Sequence, residues 1–344
     1  MTNTKYAFKR TVFDSISFAY IVSILLVAIL APTEETLLET SRNFTLFGAL
    51  IVAGIGLSMI LARMNVTTLG HTIFAPSHKK NHEDTTPTFL RLSTWHLVVL
   101  LLLTIVVGVN QTKFSIYELT DPDGFAGAVR LFKGLSSPNF AIFPMAVLKI
   151  IETFFIAFMA TLLAIPVAFV GSFFCAKNIM KSPGAFSLYA ILRSLLNITR
   201  SVESLIWAII FSVWVGIGPF AGMLALWLHS VASLTKHYSE ITEAVNEGPI
   251  EGIRSTGAGF VQTIWFAIVP QVILPYVAFT IDRWDINVRM ATVIGLVGGG
   301  GIGTMLIKYQ GQALWPEVGC IIVVIATVVW LMDTASAHLR EALK

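Results

Sequence analysis

Apolar stretches long enough to cross about 30 Å of hydrocarbon recur eight times along the sequence, at residues 15–32, 45–62, 92–109, 148–175, 202–218, 219–236, 274–296 and 316–334. Each predicts a membrane helix, so the expected fold is an all-α polytopic membrane protein. Pro166 lies inside the fourth stretch and predicts a kink, which packed membrane helices tolerate. Between the third and fourth stretches, Phe125 to Leu135 predicts a short interfacial helix. The sequence shows no convincing internal repeat, which gives no support to inverted-repeat carrier folds.

Composition agrees with this pattern. The 344 residues are 55% hydrophobic and 12% charged, with a mean hydropathy of +0.77, whereas soluble domains carry about a quarter charged residues. A net charge of +3 without a basic run offers no nucleic-acid surface. Cys175 and Cys320 sit singly in apolar stretches and imply neither a disulfide framework nor a zinc site. Lys5, Lys9 and Arg10 precede an apolar run in the manner of a signal peptide. That run is long, and no A-x-A site precedes Pro32 and Glu34, so it reads as a retained first span.

Charge asymmetry sets the expected orientation. Arg63, Lys79, Lys80 and Arg91 lie between the second and third stretches. Lys177, Lys181, Arg193 and Arg200 follow the fourth, and Arg340 and Lys344 lie in the tail. The loop after the first stretch carries Glu34, Glu35 and Glu39 instead. By the positive-inside rule both termini and residues 237–262 face the cytoplasm. In the outer segment 110–147, Lys113, Arg130 and Lys133 balance Glu118, Asp121 and Asp123.

The cytoplasmic segment Glu251–Pro270, EGIRSTGAGFVQTIWFAIVP, is polar and turn-bearing. Gly248-Pro249-Ile250-Glu251 offers a helix start, with proline in the first turn and acids at the positive end. Gly257 supplies the positive φ that ends that helix. Val261 to Val269 suits a helix half-sunk in the interface, and Pro270 and Pro275 are expected to break it before the next span.

The glutamate, the glycine six residues later and the proline thirteen further on resemble the coupling loop of bacterial ABC importer permeases. LLNITRSVESLIWAIIFSVWVGIGPFAGMLALWLHS (Leu195–Ser230), INVRMATVIGLVGGGGIG (Ile286–Gly303) and ETFFIAFMATLLAIPVAF, from Glu152, resemble the phosphonate-type branch of that family. The resemblance covers roughly residues 92–344. It departs at Gly299 and Gly252, where the family has alanine, and in the two extra N-terminal spans.

The resemblance implies a type I importer permease core over 92–344, with a coupling loop near 240–272. Residues 1–91 would then form an N-terminal extension of two spans and a cytoplasmic loop. It also implies residence in the bacterial inner membrane and import of phosphonate, phosphate, phosphite or hypophosphite. The implied partners are two ABC ATPase subunits, a second permease copy, a periplasmic substrate-binding protein and membrane lipid. ATP and Mg would be bound by the ATPase, with no cofactor in this chain, which has no G-x-x-x-x-G-K-[ST]. Contacts to the ATPase would come from Glu243, Glu247, Glu251, Arg254, Ser255, Thr256, Gly257 and Pro270.

The seventh stretch holds Asp282, Arg283, Asp285, Asn287 and Arg289. Its four charges would cost on the order of 10 kcal/mol if they faced lipid, so the helix must face protein or water. Asp285 and Arg289 stand four apart and can pair, and Arg283 and Asn287 share another face. These charges either glue helices or line the anion path, for which Arg283 and Arg289 are the candidates because arginine's fork suits a small oxyanion. Arg200 and Glu203 are either an inner-gate pair or boundary residues.

Gly298, Gly299, Gly300, Gly301 and Gly303 match a dinucleotide fingerprint without its βαβ context. They allow either close backbone approach or helix termination. His78 and His82 have metal spacing but lie in a polar loop without a glutamate partner. No grouping of nucleophile and base has a context that favours catalysis. A stand-alone proton-coupled anion carrier using Asp282 and Asp285 is the alternative function.

Overall fold

The computed structural model describes residues 2–30, 41–64, 68–74, 92–180 and 182–342. The acidic loop residues Glu34, Glu35 and Glu39, the basic Lys79, Lys80, Arg91, Lys181 and Lys344, and the pair His78 and His82 lie outside the described residues. Every regular element described is helical. The chain divides into two compact units, Met1–Asp121 and Pro122–Lys344.

In the first unit α1 (Thr2–Leu30) packs along α2 (Ser41–Arg63), with α3 (Leu69–Phe74), α4 (Leu92–Gln111) and α5 (Ile116–Thr120) following. A Cβ on Gly54 would stand 2.8 Å from the Ser15 carbonyl oxygen, so glycine is what lets α1 and α2 approach. The buried carboxylate of Asp14 holds the start of α3. It accepts from the Gly70 amide at 2.8 Å and the Thr68 hydroxyl at 2.5 Å, with Arg10 3.7 Å away. A buried carboxylate is tolerated when it is satisfied in this way.

The second unit is built around α7 (Phe143–Phe174), which follows α6 (Pro122–Leu135) and a single 3-10 turn. Ala146, Ala157, Ala160, Ala164 and Ala168 on α7 are fully buried. Small residues of this kind let membrane helices pack closely, and α7 meets α10 (Pro219–Glu243) along the Ala157–Ala168 part of this stripe. The helix runs through Pro166 without interruption.

Two expectations are corrected here. Residues 202–218 do not cross as one straight helix. α8 (Pro183–Ser201) and α9 (Ser204–Val215) are bent by 92° around the extended residues Val202 and Glu203. The 12 residues of α9 span only about 18 Å at 1.5 Å each, short of a bilayer. α8 escaped the apolar pattern because Arg193 and Arg200 make it amphipathic.

Nor do Pro270 and Pro275 break the chain into two helices. After α11 (Glu247–Ser255), the short α12 (Phe260–Thr263) continues through a π-helical turn, Ile264–Ile268, into α13 (Val269–Ile294). Proline lacks an N–H, and a π-turn just ahead of it shifts the hydrogen-bond register. α14 (Gly301–Gly311) and α15 (Trp315–Ala342) complete the unit.

Among the described residues, four helical stretches are long and apolar enough to cross a membrane: Ser93–Asn110, Phe140–Phe174, Phe260–Val297 and Trp315–Ala342. The bent α8–α9 pair makes up to five. α10 has the length, at 25 residues, but Ser230, Ser233, Thr235, Ser239 and Thr242 are among its buried residues. These hydroxyls point into the bundle, whereas Glu240 is exposed.

Candidate coupling segment and intramembrane polar site

The helix expected after Gly248 begins one turn position earlier. Asn246 is its N-cap, with its side-chain oxygen accepting from the Gly248 amide at 3.0 Å. An Asn cap is worth about 1 kcal/mol to a helix, and the residue type is the local signal that marks this start. α11 ends at Ser255, and Gly257 follows at φ +82°, with its amide bonded to the Arg254 carbonyl at 3.0 Å. A Cβ there would meet nothing within 4 Å, so the demand for glycine is conformational rather than steric.

One side of α11 is anchored. Ile250 is buried and Ile253 half-buried against a cluster containing Tyr238, Ala267, Ile268 and Tyr276. The Asn246 amide donates to the Gln271 side chain at 3.0 Å, and Gln271 donates to the Ala267 carbonyl at 2.7 Å. The other side is open: Glu247, Glu251, Arg254, Ser255, Thr256 and Gly257 are exposed. None of Glu247, Glu251 and Arg254 takes part in an ion pair among the described residues. Pro270 is exposed at the start of α13.

Glu243 stands apart from that set. Its carboxylate pairs with Arg193 at 2.8 Å and accepts from the Lys177 amide at 2.9 Å. It ties α8 and the end of α7 to the end of α10. Beside it lies a cavity of about 510 Å³ lined by Lys177, Asn178, Met180, Phe186 and Glu243.

A stacked tyrosine pair continues inward from the anchor. Tyr238 and Tyr276 lie 3.8 Å apart between centroids, nearly parallel at 4°. The Tyr276 hydroxyl meets Thr242 at 2.5 Å and Ser172 at 3.1 Å, and Tyr238 meets Thr280 at 2.5 Å. These bonds join α7, α10 and α13 in one buried network.

Further along α13 the polar residues divide between two faces. Toward α10 and α7, Arg283 donates to the Ser230 hydroxyl at 3.1 Å and meets the His229 ring nitrogen at 2.5 Å. Asn287, fully buried, donates to both Ser230 and Thr161 at 2.8 Å. Arg283 is 7% exposed and has no ion pair among the described residues. Glu203 and Asp282 act on it only electrostatically. Two of its five guanidinium N–H groups are bonded to Ser230 and His229, and the Asn287 side-chain oxygen is buried without a partner.

Toward α15 the arrangement is ionic. Asp285 pairs with Arg289 at 2.8 Å, Arg289 approaches Asp333 at 3.6 Å, and Asp282 accepts from Arg340 at 2.6 Å. Arg283 and Arg289 therefore face different neighbours of α13. The partners His229, Ser230, Thr161, Asp333 and Arg340 were not singled out from the sequence, because only tertiary packing brings them to α13.

Arg200 and Glu203 sit on the two sides of the α8–α9 bend, and the Trp207 ring nitrogen donates across it to the Thr199 carbonyl at 3.2 Å. No ion pair joins Arg200 to Glu203 among the described residues.

The glycines do two things at once. Gly298, Gly300 and Gly301 have φ of +89°, +81° and +71° and turn the chain between α13 and α14. Gly299 and Gly303 permit backbone contact. A Cβ on Gly222 would lie 2.4 Å from the Gly299 carbonyl oxygen, and one on Gly303 would lie 2.1 Å from that of Thr292. Glu152 accepts from the Gly301 amide at 2.9 Å, and Thr153 from the Ile302 amide at 2.8 Å. A carboxylate thus caps the positive end of α14.

Residues 168–343 match the family described as binding-protein-dependent transport system inner membrane component. The phosphite transport system permease protein PtxC of Stutzerimonas stutzeri is 36% identical over 231 residues, covering 64% of this chain and 83% of that protein. The phosphate-import permease protein PhnE of Mycolicibacterium smegmatis is 34% identical over 193 residues, 56% of this chain and 36% of that protein. Among solved structures, an inward-facing MetNI methionine ABC transporter chain superposes with a TM-score of 0.52 at 19% identity, over 60% of this chain and 99% of that one. That likeness concerns the fold.

Proposed function

The chain belongs to the binding-protein-dependent inner membrane transport components, and from that premise we propose that it carries a phosphorus oxyanion, such as phosphite, phosphonate or phosphate, into the cytoplasm. As a member it is a multi-pass inner membrane permease subunit that works with an ATPase and a binding protein, not the subunit that hydrolyses ATP. The cargo class follows the relatives named for phosphite and phosphate transport.

The observation that carries the reading is Arg283. It is the buried arginine of α13, hydrogen-bonded to Ser230 and His229 rather than to a carboxylate, with guanidinium donors to spare. Arg289 is held between two carboxylates, which would compete with an anionic cargo, so its side chain serves the helix pair. Arg283 meets the oxyanion transiently, and Asn287, Ser230 and His229 orient it. Tight recognition belongs to the binding protein, because a pore must release what it passes.

In this reading the membrane-crossing helices leave both termini inside, with two permease copies around the path. Two ATPases dock on the open side of α11 at Glu247, Glu251 and Arg254, with Ser255, Thr256 and Gly257 shaping the turn. Their closure moves α11. The Asn246–Gln271 bond and the Tyr238–Tyr276 stack carry that movement along α10 and α13 toward Arg283.

Copurification with an ATPase subunit tests the docking. Gly257→Trp forces a side chain into left-handed backbone, at about 1 kcal/mol or more of strain. It should abolish ATP-driven uptake while membrane insertion stays normal. Normal uptake in that variant counts against α11 as the coupling element.

A further inference from the structure

We propose that α6 lies along the bilayer surface, its apolar face in the acyl boundary and its basic face among the headgroups. The proposal is independent of which anion is transported. None of the 14 residues of α6 is buried, yet its C-terminal end is fixed firmly. A Cβ on Gly134 would stand 2.6 Å from the Trp315 Cβ, and one on Gly319 would stand 2.5 Å from the Leu135 carbonyl oxygen. The Asn139 amide donates to the Pro316 carbonyl at 2.9 Å, and its side chain to Glu317 at 3.0 Å.

This anchor fixes the level of the helix. Trp315 begins the membrane-length helix α15, and the chain leaving α6 enters the membrane-length helix α7 within a few residues. α7 ends beside Glu243, near α11, so α6 sits at the opposite end of the bundle, where two spans set out.

Around the helix axis, at about 100° per residue, the residues sort into three faces. Gly127, Leu131 and Leu135 turn toward α15. Phe125, Val129 and Phe132 form a second face and are 64%, 48% and 66% exposed. Arg130 and Lys133 form the third, beside the apolar one, with the exposed Asp123 at its N-terminal end. A helix with an exposed aromatic stripe flanked by basic residues, held at the rim of two spans, fits an anionic lipid surface. A protein partner would leave the basic pair without that explanation. The same placement accounts for basic residues in a segment that charge asymmetry puts outside, since Arg130 and Lys133 then belong to the headgroup layer.

The test uses full-length protein in vesicles of phosphatidylethanolamine and phosphatidylglycerol. Nitroxide labels are placed singly through Phe125→Cys, Val129→Cys, Phe132→Cys and Arg130→Cys. The two native cysteines are buried and stay in place, and unsubstituted protein gives the labelling background. The expected result is severalfold greater relaxation by oxygen than by a water-soluble nickel complex at 125, 129 and 132, with the order reversed at 130. Equal access of the nickel complex to all four sites would overturn the proposal. Shielding of 125, 129 and 132 from both agents would also overturn it, because that result means protein covers the face.

Discussion

On the side of α13 that meets α15, each charge has an opposite charge within reach: Asp285 and Asp333 around Arg289, and Asp282 against Arg340. On the side that meets α7 and α10, Arg283 is more deeply buried than Arg289, but its direct partners are Ser230 and His229. One face resembles a structural weld, in which ions neutralise one another. The other keeps a cation in reserve, which is costly unless something negative visits it. In the proposed function, the difference separates a role in holding two helices from a role in passing an anion, although the residues are only a turn or two apart.

The contrast can be broken most sharply at Arg283. Arg283→Met removes the charge and keeps the length. Uptake should fall about ten- to hundredfold, the scale of a lost charge-assisted hydrogen bond of about 1.5–3 kcal/mol. Thermal stability should hold or rise, since a buried unpaired charge is gone. Uptake assays beside a melting curve in detergent check both halves. Equal losses in the two would return Arg283 to a structural role.

Arg289→Ala should show the opposite profile. It leaves the buried Asp285 without its cation, at about 2 kcal/mol, less than the 3–5 kcal/mol of a fully buried pair because the guanidinium is half-exposed. Denaturation would read this loss, and uptake per folded molecule would change little. Adding Asp285→Ala should recover part of the stability, as a double-mutant cycle measures.

Arg340→Ala gives the smallest effect. Both partners of its ion pair with Asp282 are over a third exposed, and such pairs contribute below about 1 kcal/mol. A shift as large as that of Arg289→Ala would mean that the α13–α15 weld centres on Arg340 instead.

How much of this was legible from the sequence follows from which contacts are local. The Asp285–Arg289 pair and the shared face of Arg283 and Asn287 follow from helical period alone. So does the turn at Gly257, where one residue type satisfies one dihedral demand. The neutral partners of Arg283 do not, because His229 and Thr161 look like ordinary residues of their own helices until packing sets them side by side. Arg340 was read only as a charge marking the inner side. It lies two residues from the end of α15 and pairs with Asp282 at 2.6 Å, a contact between helices that no local spacing announces. The helical run Phe260–Val297 is 38 residues long, about 57 Å at 1.5 Å per residue, and only part of it fits within hydrocarbon. Proline positions misled for a related reason: the π-turn that accommodates Pro270 has no simple signature in the sequence.

The central claim is ATP-driven import of a phosphorus oxyanion through this chain. Reconstituting the permease with its ATPase in proteoliposomes, and supplying the binding protein loaded with labelled phosphite or phosphate, measures it directly. The account predicts uptake that requires ATP and the binding protein together and collapses with Arg283→Met. Uptake by the permease alone, driven by a proton gradient without ATP, would contradict it.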